Sequence, residues 1–197
     1  MPARDLALIA VFAGLLAALS LIPPIYVPIS PVPITVQSFG VILAGAILGP
    51  YRGAASQVLF LTLVAIGLPL LSGGRGGIGV FAGPTVGFMI GWIAVAFFIG
   101  WATWKVGAPY KLIPGIIINL IGAFIVMYAF GTVGMVARTQ LSFGGALVAN
   151  VPFFIGDAIK AVLAAFIALG VHKAYPGLLP YRQRAAKDAV REPAFAK

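Results

Sequence analysis

Six apolar runs, separated by short stretches rich in proline, glycine or single basic residues, constrain the fold of this chain more than any other feature. The runs cover about Leu6–Ile22, Thr35–Leu48, Ala54–Leu68, Pro84–Trp104, Leu112–Val136 and Pro152–Val171. A helix needs about 20 mostly apolar residues to cross the hydrocarbon core of a bilayer. The pattern predicts an all-α integral membrane protein with six transmembrane helices. The second run is short, so it requires local thinning of the bilayer or help from its flanks.

The composition supports a chain that lies mostly in lipid. Hydrophobic residues make up 61% of the sequence and charged residues 9%, whereas a soluble domain carries about a quarter charged residues. No large soluble domain fits beside six spans. We expect residues 1–176 to form a single six-helix transmembrane domain, and residues 177–197 to form a basic, disordered cytoplasmic tail.

The basic residues indicate the orientation in the membrane. A net charge of +9 suggests nucleic-acid binding, but the bases stand singly at loop positions and in the tail. That distribution is typical of topology determinants and of contacts with lipid headgroups, so no nucleic-acid partner is expected. One side of the membrane would hold Arg4, Arg52, Lys105, Lys111 and the tail from Lys173, and the other only Arg75 and Arg138. The positive-inside rule then places both termini in the cytoplasm.

Three unusual stretches fall on the outer side in this topology. They are the proline-rich loop Pro23–Pro33, the glycine-rich loop Leu71–Gly83 and the start of the sixth run. The first is either a cap or an extended connector. The second is either a flexible loop or a place where backbone approaches a ligand closely, because glycine permits conformations closed to other residues. It has no Gly-Lys-Ser/Thr and is not a P-loop. We expect the three stretches to converge on one outward-facing pocket.

An acid and a base stand one helical turn apart at the start of the sixth run. Asp157 is the only acidic residue between Leu6 and Lys187, and Lys160 follows it at i+3. A charge inside a membrane span costs roughly 2.5–3.5 kcal/mol on insertion scales, so the pair should face the protein interior. There it is either a ligand site for a polar group with donors and acceptors, or an ion pair that holds the bundle together.

The absent residue types argue against enzymatic chemistry. The chain has no cysteine and one histidine, which excludes thiol chemistry and cysteine-ligated zinc. His172 and Asp157 lie at opposite ends of the sixth run, so they cannot form a Ser-His-Asp set. We expect no catalytic residues, no metal site and no cofactor, and we regard an intramembrane enzyme as disfavoured.

Small residues mark one face of the first run. Ala10, Gly14 and Ala18 recur at i, i+4, a spacing that lets another helix approach closely. That helix belongs either to the same bundle or to a partner subunit. Elsewhere, Phe88 and Trp92 share a helix face, and Asn119 needs an interhelical partner.

Three motifs together carry a resemblance to a known family. They are Pro31–Gln37, the stretch Gly67–Phe88 with the glycine-rich loop, and Pro152–Lys160. The chain resembles the BioY family, the biotin-binding S components of energy-coupling factor (ECF) vitamin transporters, over about Leu6–Pro176. The glycine-rich loop alone would not carry this resemblance.

The resemblance implies a multi-pass protein of the bacterial cytoplasmic membrane that binds biotin from outside with high affinity. It also implies a transmembrane coupling protein and two ATPases as partners, with Ala10, Gly14 and Ala18 as the docking face. A self-sufficient six-span carrier or channel, alone or as a homo-oligomer, is the alternative.

The resemblance also implies which residues bind the ligand. Asp157 and Lys160 would contact biotin directly, and Arg75 would meet its valerate carboxylate. Phe88 stands where the family usually has tyrosine, so ring stacking is expected without a phenol hydrogen bond. The predicted substrate-binding set is Asp157, Lys160, Phe88, Trp92, Arg75, Gly79, Thr85 and Asn119.

Overall fold

The structure, a computed structural model, describes residues 2–179, and within this range the chain is a bundle of helices without strands. The helices are α1 Ala3–Leu19, α2 Gln37–Leu48, α3 Pro50–Ala65, α4 Val86–Val106, α5 Leu112–Arg138, α6 Phe143–Ala149 and α7 Phe154–Ala174. Six of them match the six apolar runs, which confirms the all-α fold. The seventh, α6, is a short helix between α5 and α7.

The helices differ in length, and the second is short, as its apolar run predicts. Among residues 2–179, three helical segments are long and apolar enough to cross a membrane: α4, α5 and the stretch Phe143–Ala174 that contains α6 and α7. By contrast α2 has 12 residues, which is about 18 Å at 1.5 Å per residue. All of its residues except Phe39 are buried, because α1, α3, α4 and α7 pack around it. A helix enclosed by protein need not span the lipid by itself.

A single glycine reverses the chain between α2 and α3. Gly49 has φ +81°, a left-handed conformation that favours glycine, and its α-carbon packs against the ring of Trp104. Pro50 then begins α3, a first position that suits proline. The residues that follow, Tyr51 to Gly53, belong to the first turn of α3.

Helix α5 contains a wide turn. Residues Gly122–Met127 form a π-helical segment, a feature that is frequent at functional sites. Beyond this segment the helix continues through Gly131 and Gly134 to Arg138. Both glycines permit close packing on α4, with Gly134 against the backbone of Gly87 and Gly131 beneath the ring of Phe88.

The ends of the bundle carry different charges. A side-chain ion pair joins Arg52 to Asp5 at 3.3 Å, so the starts of α1 and α3 lie at the same end. This matches the predicted grouping of Arg4 and Arg52.

Leu178 and Leu179, which were assigned to the tail, are buried against the bundle. The expectation of disorder from residue 180 onward lies outside the described residues.

Candidate functional site

A cavity lies where the three unusual stretches meet. The empty space inside it, counted together with the open solvent at its mouth, is about 580 Å³. Its walls come from the segment before α2, the glycine-rich loop, α4, the π-helical turn of α5 and the start of α7. The polar and charged groups that line it are Thr35, Gln37, Ser38, Arg75, Thr85, Asp157 and Lys160.

Both loops over the cavity have defined shapes. In the proline-rich loop, Ile25 and Ile34 exchange two backbone hydrogen bonds of 2.9 and 2.8 Å. This pairing makes the loop a closed hairpin rather than an extended connector. In the glycine-rich loop, Leu71 and Arg75 pair in the same way around Gly73 and Gly74, which both have positive φ.

Gln37 ties the glycine-rich loop to the bundle. Its side-chain amide donates to the carbonyl oxygens of Leu16 and Leu70 at 3.1 and 2.9 Å. Its oxygen accepts from the backbone N–H and the hydroxyl of Ser72 at 3.0 and 3.1 Å. This buried residue is therefore a structural link that fixes one wall of the cavity.

Asp157 and Lys160 form an ion pair at the cavity wall, with 2.9 Å between Nζ and Oδ1. Lys160 also donates to the carbonyl oxygen of Thr35 at 2.7 Å and to the hydroxyl of Ser38 at 3.0 Å. Every hydrogen of its ammonium thus has an acceptor in the protein. Because Thr35 precedes α2 and Ser38 lies in its first turn, Lys160 anchors the start of α2 to α7.

The Asp157 carboxylate has its own partners. Ser38 donates to Oδ1 at 3.3 Å, and the hydroxyl of Tyr128 donates to Oδ2 at 2.8 Å. Tyr128 follows the π-helical turn of α5, and its ring stacks on Phe154 with 5.4 Å between centroids. A carboxylate offers about four acceptor positions. Three are used, so Asp157, which is 4% exposed, retains acceptor capacity toward the cavity.

Aromatic and aliphatic side chains form the apolar walls. Phe88 and Trp92 line the cavity from α4, one turn apart, beside Met89. Phe88 meets Phe153 edge to face, with 6.0 Å between centroids. Arg75 also lines the cavity and donates from Nε to the carbonyl oxygen of Ser72 at 3.2 Å. It forms no ion pair within residues 2–179.

Two predicted site residues lie elsewhere. Gly79 is exposed in a 3-10 turn, and a Cβ at that position would touch nothing within 4 Å. Asn119 is buried between helices and donates to the carbonyl oxygen of Ala161 at 3.0 Å. This is the interhelical partner that the sequence required, and it leaves Asn119 outside the cavity. Neither residue remains a candidate for ligand contact.

The small residues of α1 separate into two faces. Ala13 is buried in the bundle, whereas Ala10, Gly14 and Ala18 are exposed on the outer face. A Cβ added to Gly14 would meet nothing within 4 Å. This face of α1 is therefore not used for packing within the described bundle, and it remains available for a partner helix.

Sequence reasoning missed Thr35, Ser38 and Tyr128 as members of the site. Ser38 and Asp157 are 119 positions apart in the chain, and Tyr128 and Asp157 are 29 apart. Single hydroxyl groups within apolar runs gave no signal of these contacts.

The site can accept hydrogen bonds at Asp157, offer a cation at Arg75 and enclose an apolar ring system. Within residues 2–179 no cluster of histidine and carboxylate groups is suited to a metal ion.

A family model decides between the possible classes of membrane protein, since the model of the BioY family matches residues 1–177. The chain belongs to the BioY family. It is 45% identical to the biotin transporter BioY of Rhizobium etli over 187 residues, which cover 92% of this chain and all of that protein. It is 42% identical to the biotin transporter BioY of Rhodobacter capsulatus, with 89% and 97% coverage.

A solved structure shows the same fold. It is a crystal structure of the S component for biotin from an ECF-type ABC transporter. It superposes with a TM-score of 0.82 at 32% sequence identity and covers 86% of this chain and 91% of its own. BioY family members with these names are transporters rather than enzymes, as the sequence led us to expect.

Proposed function

We propose that this chain binds biotin in the cavity between its two outer loops and α7, and acts in biotin uptake as the S component of an ECF transporter. The observation that carries the proposal is the Asp157–Lys160 pair, buried in a cavity with aromatic walls and an unpaired Arg75 within the described residues. Membership of the BioY family supports biotin as the solute.

The chemistry of biotin suits the groups that line the cavity. Its ureido ring has two N–H donors, and the carboxylate of Asp157 retains acceptor capacity toward the cavity. Its thiophane ring is apolar and would pack on Phe88 and Trp92. The valerate carboxylate would pair with Arg75, for which a bidentate guanidinium contact is favourable. A ureido carbonyl at Lys160 would have to replace Ser38 or Thr35 as an acceptor.

Equilibrium binding of radiolabelled biotin to the purified chain tests the assignment. We expect saturable binding of one biotin per chain, which excess unlabelled biotin displaces and which equal excesses of thiamine or riboflavin do not. Binding of biotin no tighter than that of the other two vitamins would overturn the vitamin assignment.

We further infer that the protein lies in the bacterial cytoplasmic membrane with both termini inside, and works with a transmembrane coupling protein and two ATPases. The distribution of basic residues supports the orientation. The exposed face with Ala10, Gly14 and Ala18 supports close packing of α1 on a helix of the coupling protein.

A bulky residue on this face should uncouple binding from transport. We expect Gly14→Leu to leave the affinity for biotin unchanged, since no atom within 4 Å of the added Cβ belongs to the described bundle. Uptake by cells that produce the coupling protein and ATPases should fall at least about fivefold, because overpacking a helix contact costs about 1–3 kcal/mol. Gly170→Leu on α7, where a Cβ is equally free, is the matched control. Unchanged uptake with Gly14→Leu would favour a carrier that needs no partner at this face.

A further inference from the structure

A second cavity lies at the end of the bundle opposite the Asp157–Lys160 pair. It holds about 730 Å³ of space between the α4–α5 turn, the last turn of α7 and the segment after it. His172 lines it and follows Asp157 by 15 positions (172 − 157), which is roughly 22 Å along a helix. Leu169, Pro109, Pro176 and Leu179 make most of its walls apolar. None of these residues takes part in the proposed biotin site.

His172, which lines this cavity, carries a buried hydrogen-bond acceptor without a partner among residues 2–179. Nε2 of His172 lies 2.9 Å from the carbonyl oxygen of Ala46, so the Nε2–H group donates there and Nδ1 carries a lone pair. Nδ1 has no partner among residues 2–179, although His172 is only 5% exposed. The ring of Tyr110 covers it in a stacked arrangement with 5.0 Å between centroids. Since buried polar groups are usually hydrogen-bonded, we expect this acceptor to receive a hydrogen bond from a bound molecule.

The surroundings of the cavity are basic. Lys173 lines it, and Lys111 lies on the other side of Tyr110. No carboxylate of residues 2–179 lines it, and Asp5, at the same end of the bundle, is paired with Arg52. Burial raises the pKa of Tyr110 to about 12, so its hydroxyl adds no negative charge at neutral pH. An anion is therefore favoured here.

This cavity at the end of a transmembrane helix combines apolar walls with a lysine and a hydrogen-bond acceptor. These features suit an anionic membrane lipid with a hydroxylated headgroup. Basic pockets between helices at the cytoplasmic side of a membrane are suited to anionic lipid headgroups. We propose that this cavity binds phosphatidylglycerol. The phosphate pairs with Lys173, a glycerol hydroxyl donates to Nδ1 of His172, and the upper part of an acyl chain packs on Leu169.

Lipid binding to the purified full-length chain in detergent tests this proposal. Native mass spectrometry and thermal unfolding would be measured with phosphatidylglycerol, phosphatidylcholine and inorganic phosphate. Of these three compounds, we expect only phosphatidylglycerol to bind at one site per chain and to raise the Tm. Lys173→Gln should lower its apparent affinity about fivefold, the value of one lysine near an anionic surface. Leu169→Trp, which fills the cavity, should abolish the rise in Tm.

Lys105→Gln is the matched control. Its ammonium belongs to the same basic end but lies 5.8 Å from the ring centroid of Trp101 and does not line the cavity, so this variant should bind the lipid as the wild type does. Equal losses in Lys105→Gln and Lys173→Gln would overturn the proposal in favour of diffuse charge attraction. Equal effects of phosphatidylcholine, or of inorganic phosphate alone, would overturn it as well. If the Leu169→Trp variant does not fold, the comparison of Lys105→Gln with Lys173→Gln still tests the proposal.

Discussion

Asp157→Asn is expected to weaken biotin binding by about 100-fold or more. The carboxylate accepts from Lys160, Ser38 and Tyr128, and in our proposal it also accepts from the ureido N–H groups. The asparagine side chain has the same shape, but an NH₂ group replaces one carboxylate oxygen. A donor then faces donors of the protein or the ligand. Charge-assisted hydrogen bonds contribute about 1.5–3 kcal/mol each, and 1.4 kcal/mol corresponds to a factor of ten in affinity. Equilibrium binding of biotin to the purified variant measures the loss.

A double variant separates ligand binding from stability. Removal of Asp157 alone leaves the ammonium of Lys160 without its anion, and breaking a buried pair destabilises a protein by about 3–5 kcal/mol. Asp157→Asn combined with Lys160→Met removes both charges, so the Tm should recover part of its loss while biotin binding stays at least as weak as in Asp157→Asn. If binding returned together with the Tm, Asp157 would be a structural residue rather than a ligand.

Lys160→Met is expected to loosen the segment before α2 as well as to weaken binding. Lys160 donates to the carbonyl oxygen of Thr35 and to Ser38, and these are contacts between α7 and a wall of the cavity. Loss of such charge-assisted bonds should make the backbone amides of residues 34–39 exchange with solvent about 10–100 times faster. Hydrogen exchange of the purified variant without added biotin measures this. The affinity for biotin should fall by a similar factor, because the wall is no longer held in place.

Lys105→Met removes a lysine that lies over Trp101, away from the cavity, and should leave exchange in residues 34–39 unchanged. If Lys160→Met lost affinity but kept wild-type exchange there, Lys160 would act only by touching the ligand. The anchoring role would then be wrong.

The sequence predicted the helices well because each one follows from a local pattern. Apolar runs and helix breakers are read within about 20 residues, and they located helices α1 to α5 and α7. The shortness of α2 was also predicted, because its apolar run is short. Its enclosure by protein was not predicted, because that burial depends on four neighbouring helices.

The site was predicted in part for a similar reason. Asp157 and Lys160 stand out because charges are rare in the apolar runs, and the cavity does contain both. Tyr128 and Ser38 were missed because their roles depend on contacts between distant parts of the chain. Gly79 and Asn119 were included through the resemblance and by polarity, but the side chain of Asn119 serves packing between α5 and α7.

Tyr128 has a particular place in this site. The resemblance led us to expect no phenol hydrogen bond at position 88, where the chain has phenylalanine. The structure has a phenol on the neighbouring helix, and it donates to Asp157 at 2.8 Å. The π-helical turn before Tyr128 contains about one residue more than an α-helical turn. This extra residue sets the direction of the Tyr128 side chain.

The central claim is that biotin occupies the cavity beside Asp157 and Lys160, and the fluorescence of Trp92 tests it most directly. Trp92 lines the cavity, whereas Trp101 and Trp104 lie outside it. Titration of the purified chain with biotin should change tryptophan emission in a saturable manner with one biotin per chain. In Trp92→Phe the change should be absent while radiolabelled biotin still binds. A change of equal size in Trp92→Phe, or biotin binding by the wild type without any change in emission, would contradict the account.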